Sequence, residues 1–349
     1  MTPTPFYLVA VSGTVRDAAT FAPLSGAMVR FYAENESHPD CPPVIAWTDE
    51  AGGCAGEVRT VIPEGRVILE ARRYEHAPSA SAAEYLGSTD VCLPLLSLSG
   101  IPRTAPGGTD FDGDGQPDEA VYRPASGLWA VRGLSRFQFG TAGDEPVTGD
   151  FDGNGTDDPG VFRPSDGLWA VRSLTRFYYG GFLDLPVPGD YEGRGRATGA
   201  VFRAAGGLWA VRGITRLFIG GSGEAPAPDD FDGDGRRDPA VFRPSDGLWS
   251  LPSLTRFVLG GAGDELVLGD ADGDGSADAG LFRPASSLWA IRSLTRYYFG
   301  SSGDLPVPSD RDGDLAADPA LFRPSAGLWA VRARTRFLFG AAGDLPLSR

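Results

Sequence analysis

From about residue 105 onward, apolar residues fall into short runs that return every 40 positions. In APAPDDFDGDGRRDPAVFRPSDGLWSLPSLTRFVLGG, residues 225 to 261, three such runs (AVFRP, GLWSL and TRFVLG) are separated by turn signals. A further short run, such as LPVPGD at 185 to 190, leads into each polar loop. Apolar residues occupy both faces of these runs: Leu128 and Ala130 oppose Trp129 and Val131, and Phe137 and Phe139 share one face of the last run. Strands that hold apolar residues on both faces are covered on both faces. Four strands in 40 residues is the size of a propeller blade.

Strand sets close at Gly140, Gly180, Gly220, Gly260, Gly300 and Gly340, which predicts an all-β ring of six blades, with an open stack of repeats as the lesser alternative. After the sixth set the chain continues with GDLPLSR, which reads as the start of another inner strand. The matching segment before the first set, TAPGGTD, has glycines where the others have Val or Leu. Leu345 to Ser348 is therefore expected to complete the first blade and fasten the ring.

Residues 1 to 100 lack the period and carry all three cysteines and both histidines. Alternation in VILEAR and the closing VCLPLL fit the half-buried strands of a β-sandwich. The Gly/Pro-rich SGIPRTAPGG suits a linker, so the expected organisation is a sandwich at 1–100, a linker at 101–108 and a propeller at 109–349.

The polar loops carry the candidate chemistry. DFDGDGQPD, DFDGNGTDD, DYEGRGRAT, DFDGDGRRD, DADGDGSAD and DRDGDLAAD begin at Asp110, Asp150, Asp190, Asp230, Asp270 and Asp310. Carboxylates this close repel one another unless a cation sits among them. Calcium takes six to eight hard oxygen ligands, which a nine-residue loop supplies from side chains at positions 1, 3, 5 and 9 and the carbonyl at position 7. The expected ligands are Asp110, Asp112, Asp114, Gln116 and Asp118 in the first loop, and Asp150, Asp152, Asn154, Thr156 and Asp158 in the second. They are Asp230, Asp232, Asp234, Arg236 and Asp238 in the fourth, and Asp270, Asp272, Asp274, Ser276 and Asp278 in the fifth. The sixth keeps Asp310, Asp312, Asp314 and Asp318 but has Leu315 where the others have glycine, so four loops are well formed and a fifth is doubtful. The third has Glu192, Arg194 and Thr198; it should hold no metal, with the Arg194 guanidinium in the ion's place. An EF-hand would need Glu at position 12, where the fourth loop has Val241.

The composition narrows the partners. A formal net charge of −15 and a pI near 4.6 argue against nucleic acid and anionic membrane. Five calcium ions, at two charges each, would bring −15 to −5. All basic side chains are arginine; with no lysine, and with His38 and His76 outside the repeats, Schiff-base and imidazole chemistry are missing from the ring. No apolar run reaches the roughly 18 residues of a membrane span, and the first residues lack the pattern of a signal peptide. A processed or engineered start is the preferred reading.

The run GDFDGDG...DPAVFRPSDGLW resembles FG-GAP or VCBS-type repeats, the calcium-loop blades also found in integrin α-chains. That resemblance implies adhesion, binding or, occasionally, a lyase role. GTVRD, APLSGAMV and IPEG before RVILEAR resemble the carboxypeptidase-regulatory-like, transthyretin-like sandwiches, which are accessory domains.

Three further features have two readings each. Arginines recur at 123, 163, 203, 243, 283 and 323 and again at 136, 176, 216, 256, 296 and 336, with tryptophans at 129, 169, 209, 249, 289 and 329. They are expected to be internal supports; the alternative makes them sugar pockets of a lectin-like protein. Cys41, Cys54 and Cys92 allow one disulfide and one free or intermolecular thiol; a zinc site from His38, Asp40, Cys41 and Cys54 lacks recognised spacing. Paired cysteines and millimolar-calcium loops suggest a secreted or cell-surface protein. The run at 6–15 pairs within its own sheet or, alternatively, joins a neighbouring copy into an oligomer or filament. The function expected is non-enzymatic adhesion or structural self-assembly, with a surface glycan or protein as ligand; a polysaccharide-degrading enzyme is the remote alternative.

Overall fold

The computed structural model describes residues 7–17, 21–24, 27–34, 43–60, 64–72, 79–86, 90–92, 96–98 and 109–347 except 253. The chain divides into two compact units, Met1–Ile101 and Pro102–Arg349.

The first unit is a β-sandwich. Its strands are β1 (Tyr7–Asp17), β2 (Met28–Ala33), β3 (Val44–Trp47), β4 (Gly53–Thr60), β5 (Glu64–Arg72), β6 (Ser79–Leu86), β7 (Asp90–Cys92) and β8 (Leu96–Leu98). One sheet runs β4-β1-β7 with β8 also on β1, and the other runs β3-β2-β5-β6. Strict alternation puts Val9, Val11 and Val15 of β1 against Val29 and Phe31 of β2 and Val67, Leu69 and Ala71 of β5, a dry core. β1 is the long run noted in the sequence. It pairs antiparallel with β4 from Tyr7 to Thr14 and parallel with β7 and β8 on its other side, so it belongs to its own sheet.

The second unit is a propeller of six four-stranded antiparallel blades. Blade two shows the plan: Glu145–Gly149 innermost, then Asp158–Arg163, Leu168–Val171 and Thr175–Tyr178 outermost. Blade one takes its innermost strand, Leu345–Pro346, from the other end of the repeat region, paired with Tyr122 and Val121. The Leu347 N–H then donates to the Ala120 carbonyl at 3.0 Å, which completes the fastening expected from the sequence; Ser348 lies outside the described residues.

Each blade is built around a tryptophan with 0% exposure. Trp129 meets Tyr122 edge-on at 5.3 Å on one side and stacks on Phe137 at 6.0 Å on the other. Its indole N–H donates to the Phe139 carbonyl at 2.9 Å. The buried donor is thereby satisfied, and a full aromatic side chain is removed from water.

Candidate metal centres

In blades two to six each loop follows the innermost strand, the first loop opens blade one instead, and in every loop the first aspartate folds the turn. In the fourth loop one oxygen of Asp230 accepts from the N–H groups of Gly233 at 2.8 Å and Asp234 at 3.2 Å, and the other accepts from Gly235 at 2.8 Å. Asp232 caps Asp234, Asp234 caps Arg236, and Asp238 accepts from the Phe231 N–H at 3.0 Å. Gly233 and Gly235 sit at φ +75° and +83°, the left-handed region in which a side chain is strained. Asp, Gly, Asp and Gly thus fold the segment until its carboxylates converge.

Five loops bring three carboxylate oxygens each within 4.8 Å of one another. The groups are Asp110, Asp112 and Asp118; Asp150, Asp152 and Asp158; Asp230, Asp232 and Asp234; Asp270, Asp272 and Asp278; and Asp310, Asp312 and Asp318. These are calcium-type loops, hard oxygen donors spaced for a divalent ion. Position 5 joins the group only in the fourth loop, which is also the most exposed. The position-5 side chain of all five loops, Asp234 included, also accepts from the position-7 N–H: Gln116, Thr156, Arg236, Ser276 and Ala316.

Position 9 records the electrostatics. Burial first, then the neighbouring loop carboxylates, push Asp118, Asp158, Asp278 and Asp318 above the ordinary carboxylate range, against a lowering hydrogen bond from the backbone. Asp238 is pushed up to about 6 for the same reasons. A divalent ion among these groups would remove the repulsion that raises them.

The third and sixth loops depart from this pattern. In the third, Asp190 still accepts from Gly193 and Gly195, so the turn survives, but no group of three carboxylates forms among the described residues. The sequence suggested that Arg194 would occupy the ion's place; its side chain is instead 70% exposed and pairs with Glu192 at 3.1 Å. In the sixth, Leu315 adopts the glycine conformation at φ +74° and its N–H donates to Asp310 at 2.9 Å. The group forms, yet the Arg334 guanidinium binds Asp312 and sits 3.1 Å from Asp318. The corresponding residue of the other repeats is Leu134, Leu174, Ile214, Leu254 or Leu294. A cation built into the chain thus competes for the one doubtful site.

The loops also hold one another. The carbonyl of each first aspartate accepts from the position-8 N–H of the next loop, as in Asp157 to Asp110 and Ala197 to Asp150, both at 2.6 Å. The step from the sixth loop to the first cannot form, because position 8 there is Pro117. That join carries a pair found at no other: Arg311, in a position filled by Phe, Tyr or Ala elsewhere, reaches Glu119 of blade one at 2.6 Å.

The arginine series separate by role. Arg163, Arg203, Arg243, Arg283, Arg323 and Arg123 bind the almost fully buried Asp144, Asp184, Glu224, Asp264, Asp304 and Asp344, at 2.6 to 2.7 Å. These are the internal supports expected, but their acids were not singled out in the sequence, although they recur every 40 residues ahead of each innermost strand. Arg132, Arg172, Arg212, Arg292 and Arg332 lie 4.0 to 4.2 Å over an aromatic ring of the preceding blade. The sixth member is missing because Pro252 and Leu217 replace both partners. The outer-strand series from Arg136 to Arg336 does neither. The six tryptophans have no exposed face on which a sugar could stack.

In the first unit, Cys54 is a free, buried thiol that burial pushes up to about 11. Cys54 and Cys92 lie opposite Gly13 and Ser12 on the two sides of β1. Two strand spacings separate them by roughly 9.5 Å, beyond the reach of a disulfide. Disulfide pairing involving Cys54 therefore lends no support to a secreted location. His38, Asp40 and Cys41 of the zinc alternative lie outside the described residues.

No catalytic arrangement of side chains is evident among the described residues, and no helix of the structure is long and apolar enough to cross a membrane. No protein family model matches the chain, and no curated protein matches it. Among solved structures it has a likeness to a streptococcal ancillary pilin, at 13% identity and a TM-score of 0.23 over 61% of this chain and 59% of that one. A second likeness is to the Bacillus anthracis TIE protein, at 10% identity and a TM-score of 0.21 over 73% and 49%. The chain spans between half and three-fifths of the length of these structures, and at such scores they carry no functional weight.

Proposed function

We propose that the protein is a non-enzymatic, calcium-stabilised module of the cell surface or extracellular space, serving adhesion or structural assembly. A carboxypeptidase-regulatory-like sandwich (1–100) and a linker (101–108) would precede an FG-GAP or VCBS-type propeller (109–349). The observation that carries this reading is the set of five carboxylate groups on one ring of blades, where bound ions would tie loop to loop without performing chemistry. The ligands are the position 1, 3, 5 and 9 side chains and position-7 carbonyls named above. Exposed loops of this kind fill at the millimolar calcium found outside cells. The repeats offer no histidine, lysine or cysteine, so acid–base and nucleophilic catalysis would fall to carboxylates or to an exposed tyrosine such as Tyr178.

Electron microscopy of the purified chain in millimolar calcium, and again after chelation, tests the role. Single particles favour an adhesion module. Calcium-dependent filaments favour assembly, and because β1 is paired on both sides, the contact would have to lie elsewhere. Depolymerisation of a polysaccharide by the protein would overturn the non-enzymatic reading.

A further inference from the structure

The outermost strand of every blade is a sheet edge. On it, the central aromatic or Leu217 turns inward; Phe137, Phe177, Phe257, Tyr297 and Phe337 stack on the blade tryptophan. The residues on either side of it therefore point the other way, to solvent. These are Arg136, Arg176, Arg216, Arg256, Arg296 and Arg336, all exposed, and two residues on Gln138, Tyr178, Phe218, Val258, Tyr298 and Leu338. Tyr178, Phe218, Val258, Tyr298 and Leu338 are 69 to 79% exposed, the most exposed large apolar side chains of the propeller apart from Leu315.

Every other described propeller arginine has a carboxylate, a carbonyl or an aromatic ring within reach. Arg194 and Arg236 have acids, Arg196 and Arg237 have carbonyls, and the support and stacking series are described above. The six outer-strand arginines have no such partner. At the join of blades five and six, Arg336 lines a groove of about 110 Å³ with Asp304, Leu321, Arg323 and Leu328. A chain of net charge −15 thus carries six uncommitted guanidinium groups at one equivalent position, each beside a side chain that offers an apolar or amide contact. Guanidinium pairs with carboxylate and sulfate, and exposed aromatic faces suit the faces of sugar rings.

We infer that the propeller rim docks an acidic polysaccharide, its carboxylate or sulfate groups on the outer-strand arginines and its sugar faces on the adjoining apolar residues. This deepens the attachment reading and rests on it. Single contacts at exposed arginines are weak, so binding comes from several blades engaging one polymer. The competing account is that the charges guard six sheet edges against pairing with other chains.

Retention of the full chain on immobilised dextran sulfate, unmodified dextran and poly-L-glutamate, in millimolar calcium, tests the inference. The wild type should be held by dextran sulfate alone and released by salt. Arg216→Gln should weaken retention by about 2-fold to 5-fold, and replacement of all six arginines by Gln by more than about 100-fold. Two triple variants, at 136, 176 and 216 and at 256, 296 and 336, should each lose an intermediate amount and serve if the sixfold variant does not fold. Absence of wild-type retention at low salt, full retention in the triple variants, or equal retention on poly-L-glutamate would overturn the proposal. Aggregation of the sixfold variant alongside a wild type that ignores dextran sulfate would make the arginines edge guards instead. A protein that melts higher in calcium yet binds no dextran sulfate loses the rim site but keeps the calcium-module reading.

Discussion

Arg123 and Asp344, 221 positions apart, form a two-pronged ion pair at 2.6 and 3.0 Å. It is the same pair that Arg163 makes with Asp144, only 19 positions away, so the join that closes the ring has the support of the other joins. Asp344 is 2% exposed and also caps the Ala341 N–H at 2.8 Å.

Asp344→Ala should therefore destabilise the propeller by about 1–3 kcal/mol, the cost of losing a buried charge-assisted network. Deletion of the segment from Asp344 onward should cost more, because Leu345 and Leu347 leave the blade-one core with it. Thermal melts of the two variants, in the same calcium concentration, give the comparison; equal melting temperatures would show that the pair alone fastens the ring.

Asp232→Ala together with Asp234→Ala removes two of the three oxygens grouped in the fourth loop. The melting temperature should fall in calcium and stay nearly unchanged in chelator. A site at 100 times its dissociation constant contributes about 2.7 kcal/mol. Equal losses in both buffers would mean that the loop is a turn and not a metal site.

The sixth loop should be repairable. Arg334→Leu restores the residue type of the other repeats and frees Asp312 and Asp318, so calorimetric titration should show one more tight calcium, strengthened at least ~10-fold. Leu315→Gly should independently add about 1 kcal/mol of stability by relieving the left-handed conformation. If Arg334→Leu leaves the stoichiometry unchanged, competition from the guanidinium is not what weakens the site.

The effect of pH should change sign with calcium. Asp238 is raised to about 6 by burial and its neighbours, so without metal the folded state holds this proton more tightly than the unfolded chain. That stabilisation is present below the ordinary carboxylate range and is lost as pH rises through 6. Melting in chelator should therefore fall between about pH 4 and 7. The gain on adding calcium should grow over the same interval, since the ion needs the deprotonated group. A calcium gain independent of pH would separate Asp238 from the ligand set.

The join between blades three and four lacks the arginine-on-aromatic contact made at the other five. Leu217→Phe with Pro252→Arg should install it, with a coupling of about 0.5–1 kcal/mol in a double-mutant cycle. Strict additivity would show that the contact is incidental at the other joins.

Blade number, the loop spacing and the closing role of Leu345 were legible because the 40-residue period repeats each signal six times. The division of labour among the arginines was not, because it depends on neighbours that only the closed ring supplies. Arg132, for example, stacks on Phe337 from the far end of the propeller. Asp144 and its equivalents, not singled out in the sequence, are buried supports. Arg334 carried no signal of its own in the sequence; its hairpin lies against the loop of its own blade, which brings it to Asp312. Cys54 and Cys92 read as possible partners until β1 was found between them.

The chain enters the ring in the loop at Thr109 and comes back to the same blade at Leu345 and Pro346. Tension applied across those two points would load blade one first, through a two-residue strand, the ion pairs Arg123–Asp344 and Arg311–Glu119, and a loop step that Pro117 leaves without its hydrogen bond. The other five blades would lie off the force path until that clasp gave way. Under traction the ring would behave as a folded reserve, holding its shape up to the strength of one clasp and then paying out length blade by blade.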